Sequence, residues 1–231
     1  MGRWAGVYPT PRAARNAMRE CLRQVGDACL AVAFVSGGPK PPGSAVLADI
    51  AGELMALAPG AAVVAMETPA VIGDGAEREG AIALSLMTFG AGAFAVQPTL
   101  LDAEIEHASL AAALHAAATR VPDGAARPRV TLAFLGPKAH TAGSLVGLSD
   151  RSLPPVTGAG AKALVGAMPG EIPVPLAAAV LPLVTRLGVA ICASPAVEVI
   201  SPWAPITEVE GTFLRRVGDK PFLDALNAAT S

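Results

Sequence analysis

The sequence has few aromatic and few charged residues. Phe, Trp and Tyr make up 4% of its 231 residues, and Asp, Glu, Lys and Arg make up 16%, against about 25% charged residues in a typical globular domain. Hydrophobic residues account for 52%, and most of them are Ala, Val and Leu. We therefore expect a core in which sheet and helices pack through small aliphatic side chains, without a large aromatic pocket.

A dense basic stretch is also missing. The formal net charge is −2, and the arginines between Arg120 and Arg129 are spread along a segment rich in Pro and Gly. Proteins neutralise the phosphates of nucleic acids with clustered Lys and Arg. We therefore expect no binding to nucleic acid.

Cysteine is scarce, and the chain has no long uninterrupted apolar segment. Cys21, Cys29 and Cys192 are an odd number without CxxC spacing, which favours a reducing, cytoplasmic compartment over a disulfide framework. We predict that all three are buried as small hydrophobic residues. The longest apolar run, residues 172–185, contains several prolines and is shorter than the roughly 20 residues of a spanning helix. No membrane partner is expected.

Sequence patterns of catalytic and metal sites are absent as well. The chain has no GxSxG, HxxxH or HExxH motif. Ser36 would need a base and an orienting partner to act as a nucleophile, and His107, His115 and His140 do not supply them. We expect no metal, no cofactor and no enzyme activity.

The first part of the chain alternates apolar runs with helical patterns. We predict strands buried on both faces over residues 28–35 and 61–66, with a helix over residues 45–57 between them. A strand–helix–strand order implies parallel strands joined by a right-handed crossover. Residues 81–89 and 93–97 are predicted to form an antiparallel hairpin around a Gly-Ala-Gly turn.

A similar order begins again after residues 121–128, a Pro- and Gly-rich segment typical of a linker. Residues 176–184 and 188–193 are predicted to form a second hairpin. We therefore predict an α/β fold of two related halves, residues 1–120 and 129–231. Each half would be a mixed sheet covered by helices, and a pseudo-twofold internal duplication would relate them.

Four segments carry a resemblance to a known family. In order, they are AVAFVS (31–36), GAAVVAMETPAVIGDG (60–75), EREGAIALSLM (77–87) and ISPWAPITEVEGTFLRRVGDKPFLDAL (200–226). From about Ala13 onwards the chain resembles the N-terminal half of the FIST domain, an intracellular signal-transduction sensory domain of bacteria and some F-box proteins. The resemblance implies one sensory domain over residues 1–231 that binds an amino acid or a related metabolite. Its expected partners are a signalling output protein or the C-terminal half that usually follows in the family.

The sequence departs from the family pattern at three points. Relatives usually have a Gly-Cys-Ser/Thr turn where this chain has Ala65-Met66-Glu67-Thr68, and a Gly-Gly pair where it has Thr157-Gly158. The order of Gly218-Asp219 is also the reverse of the common one. These departures bear on the identity of the ligand more than on the fold.

The principal candidates for ligand binding follow the second buried strand. The Glu67 carboxylate in the Met66-Glu67-Thr68 loop could hold a ligand ammonium group, and the Thr68 hydroxyl could hydrogen-bond the ligand. The alternative is a solvated turn with Glu67 pointing outward. Thr157 and Gly158 occupy the corresponding place in the second half, and would complete a two-sided site between the halves.

Three further residues are weaker candidates for the same site. Gly73, within the VIGDG segment, could present backbone N–H groups to an anion, although ordinary turn chemistry explains this segment better. Ser36 ends the first buried strand. Trp203 could form one wall of a pocket or cap the core.

Three functions remain open from the residues alone. The first is a sensory module in which a metabolite binds between the halves, which the resemblance favours. The second is an enzyme with Glu67 as general acid or base, because a carboxylate beside apolar residues can be tuned for proton transfer. The third is an interaction or scaffold module, because high apolar content favours hidden interfaces.

Overall fold

The computed structural model describes most of the chain and divides it into two compact units. The described residues are 2–7, 11–37, 43–68, 70–73, 76–79, 82–120, 130–139, 141–150, 152–185, 187, 205–210 and 213–230. The larger unit is Met1–Val189 and the smaller one is Ala190–Ser231. The predicted linker, residues 121–128, lies outside the described residues.

Helices and strands alternate along the chain. The helices are α1 (Pro11–Arg23), α2 (Gly43–Leu57), α3 (His107–Ala118), α4 (Ala142–Leu145) and α5 (Phe222–Thr230), and a 3-10 turn, η1 (Val146–Leu148), follows α4. The strands are β1 (Gly2–Val7), β2 (Ala28–Gly37), β3 (Ala62–Glu67), β4 (Ala70–Gly73), β5 (Ala76–Glu79), β6 (Ile82–Gly90), β7 (Phe94–Val96), β8 (Thr99–Asp102), β9 (Val130–Leu135), β10 (Val156–Gly160), β11 (Leu164–Ala167), β12 (Val174–Thr185), β13 (Ile206–Glu210), β14 (Phe213–Val217) and β15 (Lys220–Pro221).

Ten strands of the larger unit form one mixed sheet. Its order is β1-β6-β2-β3-β11-β12-β9-β10, and β7 and β8 also pair with the long strand β12. The pairs β2–β3 and β9–β10 are parallel, and the other described pairs are antiparallel. Each parallel pair is joined by a helical segment, α2 in the first and α4–η1 in the second. The predicted α/β fold with a mixed sheet and a strand–helix–strand crossover is confirmed.

The sheet curls strongly on itself. Phe34 of β2 and Phe134 of β9 meet edge to face, with ring centroids 5.8 Å apart. Four strand spacings of about 4.8 Å would separate these strands by about 19 Å in a flat sheet. The contact therefore requires the two ends of the sheet to face each other across a shared apolar core.

The buried hydrophobic residues form three clusters. One lies between the sheet and helices α1 and α2, a second fills the concave side of the sheet, and a third lies between β9, β12 and α3. The buried hydrophobic residues are mostly Ala, Val and Leu. The prediction of a core built from small aliphatic side chains is confirmed.

The cysteines differ in their environments. Cys21 is fully buried and Cys29 half-buried, and both are free thiols. Burial raises the pKa of each thiol. The prediction that the cysteines are buried is confirmed for Cys21 and in part for Cys29. Cys192 lies outside the described residues. No helix among the described residues is long and apolar enough to cross a membrane.

The predicted hairpin of residues 81–89 and 93–97 is wrong. Strand β6 has β1 on one edge and β2 on the other, so neither edge is free for β7. Strand β7 instead pairs with β12. In the second predicted hairpin, residues 188–193 lie outside the described residues. The proposed division into halves 1–120 and 129–231 and their internal duplication remain predictions.

The smaller unit contains a three-stranded antiparallel sheet, in the order β13-β14-β15, followed by α5. Gly218 adopts a positive φ of 60° in the turn between β14 and β15, and its N–H donates to the Pro205 carbonyl oxygen at 2.7 Å. Glycine suits the left-handed backbone conformation of this turn. Trp203 lies outside the described residues.

Candidate functional site

The carboxyl ends of the two parallel strand pairs are joined through residues 161–163. Ala161 N–H donates to the Leu135 carbonyl oxygen at the end of β9, at 2.8 Å. Glu67 at the end of β3 donates its N–H to Ala163 at 2.9 Å and accepts from Lys162 N–H at 3.3 Å. Strand ends of parallel pairs are frequent ligand sites in α/β folds. Backbone hydrogen bonds thus connect the end of β3, where Glu67 lies, to the end of β9.

Glu67 belongs to the sheet and is not part of a solvated turn. It is 6% exposed and pairs in register with Val35 of β2. Alternation along β3 places its side chain on the same face as Val63 and Ala65, which is the face covered by α2. No hydrogen bond or ion pair joins its carboxylate to the described part of the chain. The strand extends to Glu67 because Ala163 supplies the next backbone hydrogen-bond partner.

We predict that Glu67→Gln changes the free energy of unfolding by less than about 1 kcal/mol, because glutamine keeps the shape of the side chain and the carboxylate oxygens of Glu67 are not among the fully buried atoms that lack a hydrogen-bond partner. Denaturant titration of the two proteins measures the change. The matched control is Glu53→Gln on α2, where the carboxylate is exposed and bound to Arg15, which lowers its pKa. That control should change the free energy by less than about 1 kcal/mol, in the destabilising direction. A loss of more than about 1.5 kcal/mol in Glu67→Gln, beyond the change in the control, would show that a specific partner binds its charge.

The other residues predicted near Glu67 have different surroundings. Ser36, at the end of β2, is 1% exposed, and Thr68 is half-buried with its N–H donating to the Val35 carbonyl oxygen at 2.9 Å. Met66 is fully buried in the concave cluster. Gly73 lies opposite Ala76 in the two-stranded sheet β4–β5.

A cavity of about 330 Å³, largely open to solvent, lies over the second parallel pair. Its floor is formed by β9 and β10 and its roof by α4 and η1. The lining residues are Ala133, Leu135, Leu145, Leu148, Ser149, Val156, Thr157, Gly158, Ala159 and Gly160. Two predicted residues, Thr157 and Gly158, line this cavity. They lie within strand β10 and not in a loop, and Glu67 is not among the lining residues.

Glycine at position 158 allows the floor of the cavity to form. Gly158 pairs in register with Ala133 of β9. A Cβ atom at this position would overlap the carbonyl oxygen of Ala133. The absent side chain therefore allows β10 to approach β9 closely.

A close contact between the backbones of η1 and α3 positions the roof of the cavity. A Cβ atom on Gly147 in η1 would overlap the carbonyl oxygen of Ala111 in α3. Beyond η1, Ser149 donates its hydroxyl to the Val146 carbonyl oxygen at 2.9 Å. Ser152 N–H donates to the Asp150 carboxylate at 2.7 Å, and hydrogen bonds from Ser152 lower the pKa of that carboxyl. These bonds hold the chain where it leaves the roof.

The described residues that line the cavity are uncharged. Their side chains are aliphatic apart from the hydroxyls of Ser149 and Thr157. The residues that form the roof, Leu145, Leu148 and Ser149, were not predicted from the sequence. The signal that could have found them is Gly147, a glycine inside a short helical stretch, which often marks a close approach of two backbones.

No family model matches the sequence, and no curated protein is significantly similar to it. Among the described residues, no group of three or more His, Cys, Asp and Glu side chains could hold a metal ion. The function is therefore inferred from the cavity and its surroundings.

Proposed function

We propose that this protein is a small-metabolite-binding module of the FIST type, which acts in the cytoplasm and relays the presence of its ligand to a signalling output protein. The observation that carries the proposal is the cavity between β9, β10 and the roof formed by α4 and η1. Its volume of about 330 Å³ falls at the lower end of small-molecule sites. That size suits a metabolite comparable to an amino acid.

The strand arrangement supports the two related halves that the FIST resemblance implies. Strand β2 lies between a parallel neighbour, β3, and an antiparallel neighbour, β6. Strand β9 likewise lies between parallel β10 and antiparallel β12. Each parallel pair is bridged by a helical segment. An internal duplication accounts for this shared pattern of neighbours.

The roof offers a route from ligand to partner. Val146 in η1 is 66% exposed and Leu145 in α4 is 39% exposed, while Leu148 packs against the cluster under α3. A ligand in the cavity contacts the inner side of this short segment. Binding would then stabilise one arrangement of the exposed apolar residues, which is the surface that we propose the output protein recognises.

Ser149→Phe tests the site, because Ser149 is an exposed roof residue and the larger side chain fills part of the cavity. The measurement is a thermal-shift screen against amino acids, their N-acyl and amide derivatives, organic acids and nucleobases. A ligand at a hundred times its Kd stabilises the native state by about 2.7 kcal/mol, or roughly 5–10 °C in Tm for a chain of this size. We expect Ser149→Phe to weaken binding at least tenfold.

The matched control is Ser152→Phe, an exposed serine three residues further along that is not among the lining residues of the cavity. This variant should keep the affinity of the original protein. If both variants lost affinity equally, or if both bound the ligand as tightly as the original protein, the ligand would bind outside the cavity. A complete absence of ligands would instead favour the scaffold hypothesis.

A further inference from the structure

We infer that the cavity binds one uncharged, amide-blocked apolar residue, whose backbone pairs with Gly158 and whose side chain enters the cavity. The inference rests on the proposed binding function and specifies the chemistry of the ligand. Two features carry it: the uncharged lining, and the direction of the backbone groups along the outer edge of β10.

The lining disfavours a free amino acid. None of the described side chains that line the cavity is charged, so an ammonium or carboxylate group of a ligand would gain no ionic partner from them. Burial of an unpaired charge is strongly unfavourable. An N-acylated amino-acid amide has the same side chain and carries neither charge.

The hydrogen bonds of β10 determine which of its backbone groups remain available. Thr131 N–H donates to the Pro155 carbonyl oxygen at 2.9 Å, and Ala161 N–H donates to Leu135 at 2.8 Å. In a parallel ladder, alternate residues turn their backbone groups towards the same neighbour. Residues 155, 157, 159 and 161 therefore face β9, and the N–H and C=O of Gly158 face outward.

The outer edge of β10 has no strand beside it in the part of the chain that the structure describes, because β10 ends the sheet. Outward N–H and C=O groups of one residue can exchange two hydrogen bonds with the N–H and C=O of a single residue in an extended ligand. This geometry matches an amide-blocked residue and not a molecule with one isolated polar group.

The position of the ligand side chain follows from the same pairing. Residues directly opposite each other on neighbouring strands project their side chains to the same face. Gly158 and Ala133, which are in register, both line the cavity. A residue paired with Gly158 therefore places its side chain over the glycine floor, against Leu135, Leu145 and Leu148. These neighbours favour an aliphatic side chain.

The test is isothermal titration calorimetry with four probes: N-acetyl-L-leucinamide, N-acetyl-L-alaninamide, N-acetyl-N-methyl-L-leucinamide and L-leucine. We expect N-acetyl-L-leucinamide to bind, and Ser149→Phe to weaken it at least tenfold. The alanine derivative lacks most of the aliphatic side chain, and the N-methyl derivative lacks the N–H that pairs with Gly158. Each should bind at least tenfold more weakly, as should zwitterionic leucine.

Two other outcomes separate this inference from the proposed function. If L-leucine binds as tightly as its blocked derivative and Ser149→Phe abolishes both, the inference is overturned and the cavity remains a metabolite site. Equal binding of the N-methylated compound would likewise overturn the pairing with Gly158. If none of these probes binds and no compound of the wider screen is sensitive to Ser149→Phe, the proposed function fails as well.

Discussion

Gly158→Ala is expected to lower the free energy of unfolding by about 3 kcal/mol, because overpacking in a closely packed site forces the backbone to move. The added methyl group would overlap the carbonyl oxygen of Ala133, and that oxygen belongs to the backbone of β9, which is fixed in the sheet. Strand β10 must therefore shift away from β9. Chemical denaturation of the original and variant proteins measures the loss, which corresponds to roughly 6–12 °C in Tm.

The matched control for this variant is Gly52→Ala in the interior of α2. An added Cβ at Gly52 meets nothing within 4 Å. Alanine in a helix interior is more favourable than glycine by about 1 kcal/mol, so the control should be stabilising. If Gly158→Ala were also neutral or stabilising, the close approach of β10 and β9 would be incorrect, and with it the floor of the cavity.

Gly147→Ala is also expected to lower the free energy of unfolding by about 3 kcal/mol, in this case because it disturbs the roof of the cavity. The Cβ atom would overlap the Ala111 carbonyl oxygen of α3, so η1 would have to move away from that helix. Leu148, which packs in the cluster beneath α3, would move with it. Denaturation with urea measures the loss, and binding measured on the folded fraction should weaken too.

Gly143→Ala provides the comparison within the same short helical stretch. Gly143 is exposed, and an added Cβ at this position meets nothing within 4 Å. The control should therefore retain both stability and binding. If Gly143→Ala and Gly147→Ala were equally destabilising, the cause would be the local helix conformation, and the contact with α3 would not be what positions the roof.

The sequence predicted those parts of the fold that depend on neighbouring segments. Two apolar runs, now β2 and β3, flank a helical pattern in the sequence. This order predicts a parallel pair, because two neighbouring strands joined by a helix run in the same direction. The pairing of β7 with β12 could not be read in the same way. Its partner residues lie almost ninety positions away, Ala95 opposite Val184. Most of β12 is buried on both faces, so it shows no alternation that sets the register.

The candidate site was predictable on one side only. Thr157 and Gly158 were identified by position, and they line the cavity. The polar, turn-rich sequence of residues 67–75 predicts a loop at Glu67, but a backbone partner almost one hundred residues away, Ala163, keeps Glu67 in the sheet. The roof depends on the tertiary contact of Gly147 with α3. Sequence patterns of one element do not reveal such contacts between elements.

The central claim is that a small ligand binds between β10 and the roof. The most direct test is the ¹H–¹⁵N spectrum of the protein during titration with the compound that most raises its Tm. The account predicts that the largest shifts occur at residues 145–149 and 156–160, with the N–H of Gly158 among them. Saturation that leaves these signals unchanged, while signals around Ser36 and Glu67 move, would contradict it.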